Sequence, residues 1–188
     1  ITIPAPAVPA AAENCGEKGI PYVIVVAGGV GETGEEGRVL QRRLEESGRR
    51  HGFRILGPNT LGVFFPEKNF DTVFVEHGDR SLAAGGGVSV ITQSGSVGIE
   101  ALGLAGNIGF GLRTFVGLGN KCDLEETDFL RWFGKDRKTS CIAFYLESIG
   151  RGREFLELAA DISREKPIIG LKAGRTEAGA QAVSSHTG

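Results

Sequence analysis

Short apolar runs alternate with charged, helix-spaced stretches along this chain, and glycine-rich turns separate them. Residues 22–27 (YVIVVA) form a run rich in β-branched residues that breaks at Gly28, Gly29, Gly31 and Gly34. From Glu35 to about His51, Val39, Leu40 and Leu44 recur among Arg and Glu at helical spacing. Further strands are predicted at 53–56, 88–92, 112–116, 141–146 and 167–171. Helices are predicted after Ser96 to about Gly106, over 123–133, and over 153–164, where Phe155, Leu156, Leu158, Ala159 and Ile162 form the apolar stripe. Strands that are almost continuously apolar and alternate with helices imply parallel sheet covered on both faces. The expected fold class is therefore α/β, with doubly wound parallel sheets.

The alternation lapses between Pro66 and Gly87, where no helical period is visible and three glycines end the segment. A domain boundary is expected there, dividing the chain into 1–84 and 85–188. The first part begins on the tail of a strand (ITI) and supplies few β/α elements, as the C-terminal half of a Rossmann-like domain plus a linker would. The second is a fuller doubly wound unit. The chain has no Met, even at position 1, which is expected of a fragment.

Composition narrows the function. Lys+Arg total 21 against Asp+Glu 23, a net charge of −2, so there is no cationic field for DNA or RNA. No apolar run approaches the roughly 20 residues that span a bilayer, and the opening residues lack a signal-peptide pattern. Cys15, Cys122 and Cys141 are odd in number and lack metal-ligand spacing. Neither a disulfide framework nor a metal site is expected, and a reducing, cytoplasmic setting is.

Open parallel sheets bind ligands at the C-terminal ends of their strands, against helix N-termini. That rule selects the turn Gly28–Glu32, with Gly29 and Glu32, and the turn Gly57-Pro58-Asn59. It also selects the turn Gln93–Ser96, with Ser94, Gly95 and Ser96, the turn Gly119-Asn120-Lys121, and Glu147 at the end of its strand. Ser94 is a plausible N-cap, and Gly95 lets an anion approach the unpaired first-turn amides. The same S-x-S start is equally what a bare cap requires. Glu147 reads either as a cap for the next helix or as a functional acid. His186 stands in a loop of small residues, SSHTG, with no apolar neighbours. Neither a P-loop nor a G-x-G-x-x-G follows the first visible strand.

The order GPN-x-LG (57–62), QSGSVG (93–98), GLGNK (117–121), YLESIG (145–150), KAGR (172–175) and SSHTG (184–188) closely resembles the NDP-forming acyl-CoA synthetases, relatives of the succinyl-CoA synthetase α subunit. The resemblance implies a partial Rossmann-like CoA-binding domain followed by a flavodoxin-like CoA-ligase domain. It implies a ligase that interconverts acyl-CoA, ADP and phosphate with acid, CoA and ATP through an acyl phosphate and a phosphohistidine. By resemblance His186 carries the phosphoryl group, Glu147 orients it, and Ser94, Gly95 and Ser96 hold phosphate. The contacts to CoA and substrate would fall on Gly29, Glu32, Gly57, Pro58, Asn59, Thr60, Gly119, Asn120 and Lys121. Thr60 stands where the family usually has Cys, near the thioester, which leaves the acyl group open. The SHTG ending favours the acetate-type, ADP-forming enzymes. The implied partners are an ATP-grasp β subunit or fused domain, which takes ADP or ATP with Mg²⁺, in an oligomeric assembly. Coenzyme A is the substrate cofactor, and this stretch of chain alone would not complete a turnover. Two other classes fit parts of the pattern: a non-catalytic CoA-binding module, which would be expected to lose His186, and a nucleotide-binding oxidoreductase domain.

Overall fold

The computed structural model describes residues 1–75 and 84–174. The first elements are helix α1 (Val8–Glu17), strand β1 (Tyr22–Ile24), helix α2 (Gly34–His51) and strand β2 (Arg54–Leu56). β1 and β2 pair in parallel, with Val23 opposite Ile55. α2 carries Glu35 and Glu36 in its first turn and Arg49, Arg50 and His51 in its last, matching its dipole. Gly52, at φ 75°, ends it in the left-handed conformation. Leu44 packs with Val8 and Ala12 of α1 and with Val23 and Ile55 of the strands.

α1 was not anticipated by the sequence pattern. Its opening is rich in Pro and Ala, which reads as loop, yet Pro in the first turn of a helix costs no hydrogen bond. The expectation for the first three residues holds in substance: Val26 N donates to Ile1 O at 3.0 Å, so the chain start runs beside β1.

The remaining strands are β3 (Val63–Phe65), β4 (Phe70–Asp71), β5 (Ala84–Thr92), β6 (Leu112–Gly117), β7 (Cys141–Leu146) and β8 (Ile168–Lys172). They form one six-stranded sheet in the order β4-β3-β6-β5-β7-β8. β6, β5, β7 and β8 run parallel, as expected. β3 and β4 were not expected, and they add an antiparallel margin against β6. Large α/β sheets commonly carry such an edge. The sheet is continuous across Gly85, since β3 and β4 precede it in sequence.

Helices α3 (Gly95–Ile108), α4 (Glu126–Lys135) and α5 (Gly152–Ile162) connect the parallel strands. Adjacent residues of a strand face opposite ways. Val90 of β5 clusters with Leu102 and Ala105 of α3, whereas Ile91 clusters with Leu130 and Phe133 of α4. α3 and α4 therefore cover opposite faces, and all six residues of β6 are buried between layers. Among the described residues no helix is long and apolar enough to cross a membrane.

Candidate functional site

From β5 the chain passes through α3 to β6 on one side, then through α4 to β7 on the other. The strand order reverses about β5, and a crevice opens where β5 and β7 end side by side. Ser94, Gly95 and Ser96 follow β5, and Glu147 follows β7, so the fold brings these expected residues to one place.

Ser94 is the N-cap of α3: its Oγ accepts from Val97 N at 3.5 Å and lies 3.1 Å from the Ser96 hydroxyl. The Thr92 hydroxyl fixes the turn by donating to Ser94 O at 2.8 Å. A Cβ on Gly95 would meet nothing within 4 Å, so the space before the first amides of α3 is open. Capping by Ser94 and open space at Gly95 coexist here.

Gln93, which the switch-point rule places in the turn without a role of its own, joins the two turns. Its Oε1 accepts from Glu147 N at 3.0 Å and from Ser148 N at 3.1 Å. The signal available beforehand was its position, the residue directly after β5 at a switch point. Lys121 was expected among the CoA contacts, but its side chain turns into the protein instead. Its Nζ reaches Glu126 Oε2 and Ser148 O, both at 2.9 Å, with the lysine side chain 6% exposed and that of Glu126 fully buried. A buried ammonium demands such a partner.

The other wall comes from the segment after β2. Gly57, at φ 102°, is joined to Pro58 by a cis bond. A Cβ on Gly57 would sit 2.5 Å from Val25 O. Gly119, at φ 62°, lies so close to Pro58 that a Cβ would come within 2.1 Å of its carbonyl oxygen. Only glycine fits either place. Asn120 N donates to Pro58 O at 2.8 Å, and Asn59 N donates to Ala27 O at 3.0 Å, so this segment stitches the two sheets. Gly57, Pro58 and Gly119 thus shape the wall through backbone.

Asn120 Nδ2 donates to Glu32 Oε2 at 2.6 Å and to Val30 O at 2.9 Å. Gly29 N donates to the other oxygen of Glu32. The Gly28–Glu32 turn therefore spends an amide on its own carboxylate, a disposition that suits an amide or hydroxyl donor better than a phosphate. The Thr60 hydroxyl is 2.6 Å from Gly117 O, to which it donates, and it accepts from Gly62 N at 3.0 Å. That residue is 2% exposed, so its hydroxyl serves the backbone.

A cavity of about 610 Å³ joins these parts. Glu32, Asn59, Thr60, Ser94, Gly95, Ser96, Gly119, Asn120 and Glu147 all line it, with Gln93 and Gln41. Leu61, Phe74, Val75 and Ile99 supply an apolar stretch of wall. Lys121 is not in the lining, nor are Gly29, Gly57 and Pro58, which stand behind it. His186 lies outside the described residues.

These features define a doubly wound α/β protein in which a helix start and a carboxylate line one cavity at the switch point. A family model described as the succinyl-CoA ligase like flavodoxin domain matches residues 85–188. The acetate–CoA ligase (ADP-forming) I α subunit of Pyrococcus furiosus is 41% identical over 188 residues, which is all of this chain and 40% of the relative. Acetate–CoA ligase (ADP-forming) I of Archaeoglobus fulgidus is 38% identical over all of this chain and 27% of that protein. Among solved structures, the dinucleotide forming acetyl-coenzyme A synthetase 1 of Ca. Korarchaeum cryptofilum, in complex with phosphate and ADP, superposes with a TM-score of 0.91 at 37% identity. It is matched by all of this chain over 39% of its own length. The chain belongs to the succinyl-CoA ligase like flavodoxin domain family, is similar along its whole length to ADP-forming acetate–CoA ligases, and spans less than half the length of these relatives.

Proposed function

We propose that this chain carries the CoA-side and phosphoryl-transfer parts of an acid–CoA ligase (ADP-forming). In the direction of ATP synthesis, phosphate attacks the thioester carbonyl, the C–S bond breaks, and CoA leaves as the thiol. A neutral imidazole nitrogen of His186 then attacks the phosphorus of the acyl phosphate, and the acid leaves as its carboxylate. ADP, held with Mg²⁺ by an ATP-grasp subunit or fused domain, takes the phosphoryl group from His186 and becomes ATP.

Ser94, Gly95 and Ser96 hold the phosphate through first-turn amides and hydroxyls, which need no reorganisation when charge develops. Glu147 holds the second ring N–H of His186, the role a carboxylate plays toward histidine in a catalytic triad. Asn59, Thr60, Glu32 and Asn120 lie along the path of the thiol arm of CoA. Residues 85–188 bear the phosphoryl chemistry, and 1–84 the CoA side with its linker. The free cysteines suit the cytoplasm, and an oligomer with the ATP-grasp part is the working form.

One observation carries this reading: the helix start at Ser94 and the carboxylate of Glu147 line one cavity at the switch point, together with the loop that stitches the CoA-side sheet to it. The test is to mix the intact protein and its ATP-grasp part with phosphate, ADP and a panel of acyl-CoAs. ATP and free CoA should appear in equal amounts. A protein that binds CoA but forms no ATP from any member of the panel is a CoA-binding module instead.

A further inference from the structure

The turn that carries Glu147 is held almost entirely by side chains from other strand ends. Ordinarily, a turn between strand and helix satisfies its backbone locally or in water. Here Glu147 N and Ser148 N both donate to Gln93 Oε1, at 3.0 and 3.1 Å. Glu147 O accepts from Lys172 Nζ at 2.8 Å, and Ser148 O accepts from Lys121 Nζ at 2.9 Å. Two residues further on, Gly150 N donates to Glu126 Oε1 at 3.0 Å, and Glu126 also pairs with Lys121. Both amides and both carbonyls of residues 147 and 148 are thereby fixed by Gln93, Lys121 and Lys172, which stand after β5, after β6 and at the end of β8. Three strand ends converge on one turn.

We propose that Gln93, Lys121 and Lys172 form a positioning clamp that sets the direction of the Glu147 carboxylate relative to the phosphate-holding turn. The proposal rests on the ligase reading of that site. Gln93 is its central member because it belongs to both turns: its backbone precedes Ser94, and its side chain caps the end of β7. Its backbone N also donates to Tyr145 O at 2.9 Å, so the residue is tied to β7 at both ends. The side-chain nitrogen of Gln93 can only donate, so accepting from two N–H groups fixes the residue with its amide oxygen toward Glu147. A shift of about 1 Å in a catalytic group costs on the order of a hundredfold in rate, so such a clamp has consequences for turnover. Lys121 and Lys172 touch the turn through carbonyl oxygens and act on chemistry only through it.

The clamp is tested on the intact protein with Gln93→Leu, Gln93→Asn and Gln93→Glu. Residue-resolved amide exchange, read without any substrate, should accelerate about tenfold or more at Glu147 and Ser148 in Gln93→Leu, because both lose their acceptor. Gln93→Asn, one methylene shorter, should do the same and serves if the leucine variant does not fold. In ATP formation from acyl-CoA these two variants should lower kcat about tenfold or more while KM for acyl-CoA stays within about twofold. Gln93→Glu keeps the double acceptor, so it should restore exchange protection and most of kcat. Its charge enters the phosphate cavity, so the loss should move to KM for phosphate, by roughly tenfold. Unchanged exchange in Gln93→Leu and Gln93→Asn overturns the clamp, as does a Gln93→Glu protein that behaves like the leucine variant. A wild-type protein that makes no ATP overturns the ligase reading alone, because the exchange arm still decides whether Gln93 holds the turn.

Discussion

Gly95→Ala separates an anion site from a bare helix cap. Gly95 opens α3, and a Cβ there meets nothing of the protein within 4 Å. The folded state should accept alanine, whose helix preference over glycine is at most about 1 kcal/mol. In a protein of this size that raises Tm by about 2–4 °C at most. Gly95 lines the cavity in which the anion is expected, so the added methyl group takes up room there. The dipole contributes only about 0.3–1 kcal/mol at an exposed site and up to about 2 when partly buried. Loss or lengthening of one charge-assisted N–H bond adds about 1.5–3 kcal/mol, which corresponds to roughly ten- to 150-fold in apparent phosphate affinity. The assay is ATP formation from acyl-CoA and ADP over a range of phosphate concentrations, beside thermal unfolding of the same protein. A raised KM for phosphate with unchanged or higher Tm is expected. An unchanged phosphate dependence would mean that Ser94 and Gly95 only cap α3.

Glu147→Gln should reduce formation of phosphohistidine by about 10²–10⁴-fold while CoA binding, read by calorimetry, stays intact; near-normal phosphorylation would demote Glu147 to a helix cap. Thr60→Val strips the partner from Gly117 O and Gly62 N, both buried, and should cost about 1–3 kcal/mol in denaturant unfolding, with Thr60→Ser recovering most of it; equal stability of the valine variant would refute the backbone role of that hydroxyl. Glu13 on α1 bonds His51, Ser47 and Arg50 of α2, and these hold its carboxyl down, from 4.5 to about 2, with the His51 contact foremost. A depressed carboxylate stabilises the fold above its unfolded pKa and loses that contribution as pH falls through the folded one. Unfolding monitored from pH 5 to pH 2 should therefore show a loss in this window that is absent from Glu13→Gln, and superimposable profiles would contradict it.

The strands of the later sheet were legible because buried parallel strands are continuous apolar runs with glycine punctuation, as at 88–92 and 141–146. The candidate site was legible for the same reason: the switch-point rule needs only strand ends, and Ser94 and Glu147 mark two of them. α1 escaped because its buried face is made of small residues, Val8, Pro9 and Ala12, whose spacing is hidden among prolines and alanines. β3 and β4 escaped because three- and two-residue strands carry no period, and only the pairing of β3 with β6 and of β4 with β3 makes them strands. Lys121 was misplaced because a lysine in a glycine turn looks like an anion ligand, whereas burial beside Glu126 commits it to the protein. Gln93 was placed in the candidate turn but given no role, because an uncharged amide gives no chemical signal until the strand end it caps is known.

The central claim is that a phosphoryl group passes through His186 beside Glu147 and the Ser94 turn. It is tested most directly by incubating the intact protein, with its ATP-grasp part, with terminally labelled ATP and Mg²⁺, then locating the label by peptide mapping. The account predicts an acid-labile, base-stable label on His186 that is discharged by ADP and absent from His186→Ala. A label that persists in His186→Ala, or that never forms while ATP is still made from acyl-CoA, would contradict it.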